Sequence, residues 1–167
     1  MVAASVGAVL VLGVAAASFA PDAASAATLG NVALRRSVEQ LVHQTYPDLP
    51  FGNVWCPDRV ERRRGATFAC TVQLPGTFLV VDGRETNGAG SVSLSSAQAV
   101  IAATSLQQFV AANSSLPATV DCGPMPWHAV RPGTKLDCAT TLADGTRRTV
   151  ELTVGDSAGN VTITAVT

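Results

Sequence analysis

The sequence predicts an α+β protein made of two tandem small domains, each with one helix packed on an antiparallel sheet of about four strands and one disulfide. The pattern Gly-x-x-apolar-x-Cys occurs at 65–70 and again at 133–138. Upstream of each copy lies another cysteine with a proline close behind it, at Cys56 and at Cys122. An apolar stripe at helical spacing precedes each cysteine pair. Self-similarity at one period is the signature of a repeat, and the two motif cysteines set the period at 68 residues.

A helix is predicted at the start of each unit. In the first unit, apolar residues recur every three or four positions and form one face; they are Leu34, Val38, Leu41, Val42 and Tyr46. Pro47 and Pro50 are expected to end this helix. In the second unit, Ser95 and Gln98 have the spacing of a capping box, so we expect the helix to begin there and to end at Asn113. Its apolar stripe comprises Ala99, Ala102, Ala103, Leu106, Phe109 and Val110.

Strands are predicted after each helix. Residues 149–154 and 161–166 alternate apolar with polar residues, as a half-buried strand does. Turn sequences separate such stretches; they are Pro75-Gly76, Asn87-Gly88, Asp144-Gly145 and 156–160. We therefore place the first domain at 31–94 and the second at 95–167, with a short connection and a partly fixed relation between them.

The four cysteines are predicted to form two structural disulfides. A domain of about 65 residues buries little apolar area, so covalent support is expected. Three pairings exist for four cysteines. We favour Cys56 with Cys70 and Cys122 with Cys138, because each domain then folds without the other. In the chain-entropy account, closing a loop of this length removes about 3 kcal/mol of freedom from the denatured state.

Residues 1–27 are predicted to be a targeting segment rather than part of the fold. Residues 2–20 are uncharged and apolar, and Ala24 and Ala26 fit a signal-peptidase site. The alternative is a retained membrane anchor, since this stretch is about long enough to cross the hydrocarbon core as a helix. Both interpretations predict an exported protein that is secreted or associated with the cell envelope. Membrane contact is expected only through residues 2–20, if they are retained.

The cysteine motifs of the first unit resemble a known family. Trp55-Cys56-Pro57-Asp58 is followed by Gly-x-x-Phe-x-Cys-x-Val at 65–72, with a predicted helix before and a hairpin rich in Val and Thr after. This arrangement resembles the small exported actinobacterial modules called domain of unknown function 4333. The second unit is more divergent, because Gly123 separates Cys122 from Pro124. The resemblance implies export, one disulfide per domain and frequent attachment behind a membrane segment, and it implies no activity.

Composition argues against several functional classes. The chain has 11 basic and 12 acidic residues, whereas a nucleic-acid-binding protein needs a basic excess. His43 and His128 have no second ligand or nucleophile at a suitable spacing, so we expect them at the surface or in loops. Bridged cysteines supply neither a nucleophile nor a metal ligand. We therefore expect no catalytic residue, no metal and no cofactor.

Four arginines lie between the two cysteines of the first unit, and we call them the arginine segment: Arg59, Arg62, Arg63 and Arg64. A loop rich in guanidinium groups can bind an anionic envelope polymer, a phospholipid surface or an acidic protein surface. The alternative is a solvated loop that aids solubility. Trp127 is a second candidate contact residue, whereas Trp55 is expected in the core beside its disulfide.

Together these observations predict a non-catalytic exported module that binds an envelope protein or an anionic envelope polymer. Two weak sites on one chain gain avidity from their high effective concentration, which fits a tandem duplication. A structural spacer of an anchored surface protein is the alternative. A hydrolase that uses paired carboxylates ranks last, because no motif requires it.

Overall fold

The computed structural model describes residues 28–113 and 118–167. The predicted targeting segment at 1–27 lies outside the described residues. The first unit contains β1 (Thr28–Gly30), α1 (Asn31–Thr45), β2 (Val54–Trp55), β3 (Arg59–Glu61), β4 (Thr67–Leu74), β5 (Thr77–Glu85) and β6 (Val92–Ser95). The second unit contains β7 (Ala99–Ala102), α2 (Ala103–Ala112), β8 (Ala118–Asp121), β9 (Trp127–Val130), β10 (Lys135–Leu142), β11 (Arg147–Val154) and β12 (Val161–Val166).

The two units have the same topology. The first sheet has the strand order β2-β4-β5-β6, and the second has the order β8-β10-β11-β12. Each unit also has a two-stranded ribbon, β1–β3 in the first and β7–β9 in the second. All these strand pairs are antiparallel. The predicted fold of two repeats, each with a helix and a four-stranded antiparallel sheet, is confirmed, and the ribbons are an addition that the sequence analysis did not foresee.

One disulfide lies in each unit. Cys56 follows β2 and is bonded to Cys70 on β4, with 4.4 Å between the Cα atoms. Cys122 follows β8 and is bonded to Cys138 on β10, with 4.1 Å between the Cα atoms. No cysteine among the described residues is free. The bridges join neighbouring strands of one sheet, so each fastens the loop that contains β3 or β9 to its own unit.

The glycine of the repeated motif begins the long hairpin in each unit. The amide of Gly65 donates to the carbonyl of Glu85 at 2.8 Å, and the amide of Gly133 donates to the carbonyl of Val154 at 2.7 Å. The φ angles of the two glycines are 88° and 84°, in the left-handed region that glycine adopts without strain. The repeat therefore extends from the sequence motif to individual backbone hydrogen bonds.

The second helix begins later than predicted. It starts at Ala103, because residues 99–102 form β7 and pair with β9. The predicted capping box of Ser95 and Gln98 is therefore wrong, and the tertiary pairing of the strand outweighs the local signal. The predicted helix end at Asn113 is confirmed, since Asn113 is the C-cap residue of α2.

Each unit has its own hydrophobic core between the helix and the sheet. The first helix buries Leu34, Val38 and Val42, and the second buries Ala103, Leu106 and Val110. The central strands bury every second residue, as expected for a sheet with one covered face. Cys70 and Cys138 have no exposed surface, so both disulfides extend into the cores.

The ribbon formed by β7 and β9, which we call the shared ribbon, packs against both cores. One face lies on the core of the second unit and comprises Ala99, Ile101, His128 and Val130. The other face packs against the core of the first unit and comprises Val100, Trp127 and Ala129. Apolar surface therefore joins the two units, in addition to the short connection at 96–98.

Gln98 adds a polar bridge between the units. Its Oε1 accepts a hydrogen bond from the Val80 amide on β5 at 2.7 Å, and its Nε2 donates to the Ala129 carbonyl on β9 at 3.0 Å. Tyr46, at the end of α1, is hydrogen-bonded to the backbone of Val100 in β7, and burial raises the pKa of its hydroxyl. Gln98 and Tyr46 therefore join the first unit to the shared ribbon by hydrogen bonds.

Candidate partner-binding site

The arginine segment begins on β3 and continues into the turn that follows it. Val60 is 6% exposed and belongs to the first core. Strand alternation therefore turns its neighbours Arg59 and Glu61 outward. The turn is closed by the amide of Ala66, which donates to the carbonyl of Arg63 at 2.8 Å. All four arginines of the segment are exposed.

Most of the positive charge in the segment lacks an ion-pair partner. The Nε of Arg63 lies 3.4 Å from Oε2 of Glu61, and both side chains are largely exposed. Such a surface pair contributes about 0–1 kcal/mol to stability, so it does little to hold Arg63 in place. Among residues 28–113 and 118–167, Arg59, Arg62 and Arg64 form no ion pair. The guanidinium groups of Arg59 and Arg64 are therefore free to bind an anion, whereas the charge of Arg62 also acts on Glu85.

Glu85 lies behind the segment and organises the adjacent loop. Its side chain is fully buried at the end of β5. Its Oε2 accepts from the amide of Gly88 at 2.6 Å, and its Oε1 accepts from the amide of Gly90 at 2.9 Å. A Cβ placed on Gly90 would lie 3.5 Å from Nε of Arg62, so this loop touches the arginine segment. The buried carboxylate therefore holds the 87–90 loop beside the arginines.

The charge of Glu85 is stabilised despite its burial. Desolvation raises its pKa, but the backbone amides of Gly90, Gly88 and Asn87, together with the charge of Arg62, outweigh this and hold the pKa below its ordinary value. The sequence analysis treated 87–90 as hairpin turn residues and missed Glu85. The equivalent residue of the second unit is Val154, since each accepts the hydrogen bond from the motif glycine. Comparison of the two repeats in the sequence identifies Glu85, because the first repeat has a charged residue where the second has an apolar one.

A shallow groove lies beside β3. It has a volume of about 330 Å³ and is lined by Pro57, Arg59, Val60, Glu61, Arg63, Ala66, Thr67 and Phe68. Two members of the arginine segment therefore border the groove, and Val60 and Phe68 lie at its base as part of the first core. The arrangement provides cationic groups at the rim of a recess, with one carboxylate, Glu61, among them.

The position of Arg59 in the first unit corresponds to that of Trp127 in the second. Arg59 pairs with Gly30, the residue before α1, and Trp127 pairs with Ala102, the residue before α2. In the second unit this face of the ribbon packs against the first unit. In the first unit the same face is exposed, and it presents Thr28, Gly30, Arg59 and Glu61.

The two tryptophans lie in environments that differ from those expected. Trp127 is half-buried and packs against the first core, so it contributes to the contact between the units. Trp55, expected in the core, is 49% exposed on the outer face of the first sheet. Its ring lies near that of Phe78, which is 54% exposed, with 6.2 Å between the ring centroids. Of the predicted contact residues, Arg59 lies on the β1–β3 ribbon and Trp127 lies on the shared ribbon.

His128 also differs from the expectation of a loop or surface residue. It lies in β9 opposite Ile101 and is 6% exposed, at the position that Val60 has in the first unit. Its Nε2 is buried and has no hydrogen-bond partner among the described residues. Burial lowers the pKa of the imidazole below its ordinary value. His43, in contrast, is exposed on α1 and lies 4.8 Å from the ring of Phe51.

No group of three or more His, Cys, Asp or Glu side chains in 28–113 and 118–167 is arranged to hold a metal ion. Within the same ranges, no helix has the length and apolar character needed to span a membrane.

The two disulfides indicate that the chain folds in an oxidising compartment outside the cytoplasm. No family model, curated protein or solved structure matches the chain.

Proposed function

We propose that this protein is a non-catalytic exported module of the cell envelope that binds a negatively charged envelope partner, protein or polymer, through the arginine segment. The observation that carries the proposal is the exposure of the arginine segment: Arg59 lies on the exposed face of the β1–β3 ribbon and Arg62 and Arg64 lie in the turn that follows, none of them in an ion pair among the described residues. The equivalent face of the shared ribbon packs against the first unit of the same molecule. The first unit has a polar, charged face at the same place in the fold, and among the described residues this face is exposed.

The chemistry of this surface favours an anion. Arg59, Arg62 and Arg64 lack an ion pair in the part of the chain that the structure describes. Arginine presents a planar fork of donors that matches carboxylate and phosphate groups. The groove beside Arg59 and Arg63 gives such a group a place to enter. Secretion or attachment to the envelope, and the resemblance to domain of unknown function 4333, belong to the same proposal.

A binding experiment with charged polymers tests the proposal. The probes are polyglutamate and poly(glycerol phosphate), which offer a carboxylate and a phosphodiester. A variant with Arg59, Arg62 and Arg64 changed to glutamine should bind at least about tenfold more weakly, a loss of about 1.4 kcal/mol. Binding by the native protein should weaken as salt is raised, because exposed charges are screened.

The matched control removes the same charge from the second unit. Arg131, Arg147 and Arg148 are exposed, and their change to glutamine should leave the affinity for both probes nearly unchanged. Equal loss in the two triple variants would mean that net charge, and not the arginine segment, governs binding. Absence of binding to both probes by the native protein would contradict the proposed partner class.

The alternative, a structural spacer, has one observation in its favour. The shared ribbon and the Gln98 bridge couple the two units, as a rigid spacer requires. A spacer needs no charged surface, so it predicts that the arginine variant keeps the properties of the native protein. The polymer experiment therefore separates the two functions.

A further inference from the structure

Two exposed aromatic side chains form what we call the aromatic face of the first sheet: Trp55 on β2 and Phe78 on β5. Their inward neighbours, Val54 and Leu79, are buried, so strand alternation turns both rings to the outer side. The ring planes are tilted by 56°. Large aromatic side chains are normally buried or used in contacts, and this pair leaves apolar rings in water.

At the equivalent positions, the second unit has polar side chains that face the solvent. Trp55 pairs with Thr71, one residue after the motif cysteine, and Asp121 pairs with Ala139, one residue after the other motif cysteine. By the same register, Phe78 corresponds to Arg147, since each lies three residues before the valine opposite its motif cysteine. One repeat therefore has a carboxylate and a guanidinium where the other has two aromatic rings. The aromatic rings are not a requirement of the fold.

The sheet positions next to the rings are uncharged: Thr71 and Gln73 are polar, and Val80 is apolar and half-buried. Thr71 lies between Trp55 and Val80 in the sheet, and Gln73 lies opposite Phe78. Neither the Thr71 hydroxyl nor the Gln73 amide forms an intramolecular hydrogen bond among the described residues, so both can bind a ligand. A second shallow groove of about 340 Å³ continues from Gln73; its other lining residues are Pro50, Phe51, Gly52, Leu74 and Pro75.

The size of the aromatic face argues against a protein partner. A Trp or Phe side chain contributes about 150–250 Å² when fully buried, and these two are already about half covered. About 200 Å² of apolar area is therefore available from the rings, whereas a stable protein interface of about 800 Å² on each side is somewhat more than half apolar, or about 450 Å². The other outward residues of β4 and β5 add little apolar area: Thr67, Asp82 and Arg84 are polar or charged, Ala69 is small, and Val80 is half-buried. A ligand of a few ring units fits this area.

We propose that the aromatic face binds an uncharged polysaccharide chain. The C–H faces of sugar rings stack on Trp55 and Phe78, because the faces of aromatic rings carry partial negative charge and attract polarised C–H groups. The sugar hydroxyls bond to the Thr71 hydroxyl and to the Gln73 amide, which together offer donors and acceptors. This site is separate from the arginine segment and needs no charge on the ligand. It adds a second binding activity to the proposed function and does not depend on it.

The experiment titrates neutral oligosaccharides into the intact protein. The probes are linear hexamers of β-1,4-linked N-acetylglucosamine, β-1,4-linked glucose and α-1,4-linked glucose, followed by calorimetry and tryptophan fluorescence. We expect at least one hexamer to bind. A variant with Trp55→Asp and Phe78→Arg should bind it about tenfold more weakly or not at all. Because the second unit already has Asp and Arg at these positions, the variant is expected to fold, which circular dichroism checks.

The reverse exchange is the gain-of-function arm. Asp121→Trp with Arg147→Phe builds the same pair on the second sheet and should raise the number of binding sites from one towards two. Val32→Asp, which removes an exposed apolar residue of α1, is the matched control and should bind like the native protein.

Three results would overturn the proposal. The first is that no neutral hexamer binds the native protein, and the second is that Trp55→Asp with Phe78→Arg binds as well as the native protein. The third is a native dimer in sedimentation that this variant dissociates, because a second copy would then be the occupant of the aromatic face. The glutamine variant of the arginine segment should keep its affinity for the hexamer, so failure of one proposal is distinguishable from failure of the other.

Discussion

Replacing Gln98 with alanine should weaken the contact between the two units. The side chain forms two hydrogen bonds in a partly buried setting, one with the Val80 amide and one with the Ala129 carbonyl, which lies 31 residues further along the chain. The alanine side chain can form neither bond, so the Val80 amide and the Ala129 carbonyl lose their partner in the contact between the units.

Loss of these two bonds should lower the free energy of unfolding. An intramolecular hydrogen bond contributes about 1 kcal/mol net, and a backbone group left without a partner costs about 1–3 kcal/mol. Gln98→Ala should therefore lower the free energy of unfolding by about 2–4 kcal/mol. This is a large part of the total of about 5–15 kcal/mol typical of a small protein.

Urea unfolding measures the loss, and hydrogen exchange locates it. The Val80 amide should exchange much faster in the variant, since its partner is gone, while amides in the middle of β10 should change less. Gln108→Ala is the control, because the Gln108 side chain is exposed on α2 and forms no hydrogen bond among the described residues. Its effect should stay within about 0.5 kcal/mol. The contrary result is that Gln98→Ala has the same urea midpoint of unfolding as the native protein, with the Val80 amide still protected from hydrogen exchange. In that case the bridge does not stabilise the contact between the units.

Two further predictions concern the second core. Burial holds the pKa of His128 below its ordinary 6.5, so the unfolded state binds more protons as pH falls below that value, and stability present above pH 6.5 is lost in acid. His128→Val, which introduces the residue found at the equivalent position 60, should reduce the drop in melting temperature between pH 7.5 and pH 5; an unchanged drop would show that other groups cause it. Replacing Cys122 and Cys138 with serine should cost about 3 kcal/mol in urea unfolding, because the closed loop of 16 residues is released in the denatured state. A loss below about 1 kcal/mol would contradict this account.

Local patterns in the sequence were sufficient for the repeated fold. The motif glycines require positive φ and the motif cysteines require a neighbouring strand, so the spacing of these residues alone indicates where each hairpin lies. The apolar stripe of α1 needs only the helical period to be recognised. Such features are visible from sequence because the interacting residues are close along the chain.

Tertiary packing decided what the second unit does with residues 95–102. Ser95 and Gln98 have the spacing of a helix cap, yet β9 offers these residues a strand partner. Gln98 then serves the contact between the units. A pairing across about thirty residues leaves no periodic trace in the local sequence, so this outcome was not predictable.

The candidate sites show the same division. Sequence reasoning identified the arginine segment because charge clusters are visible in composition. It placed Trp55 inside and left Trp127 as a contact residue, and the structure exposes the first and half-buries the second. It also missed Glu85. Alternation along a strand determines which residues share a face, whereas only the assembled molecule determines which faces are covered, because burial depends on elements that are distant in sequence.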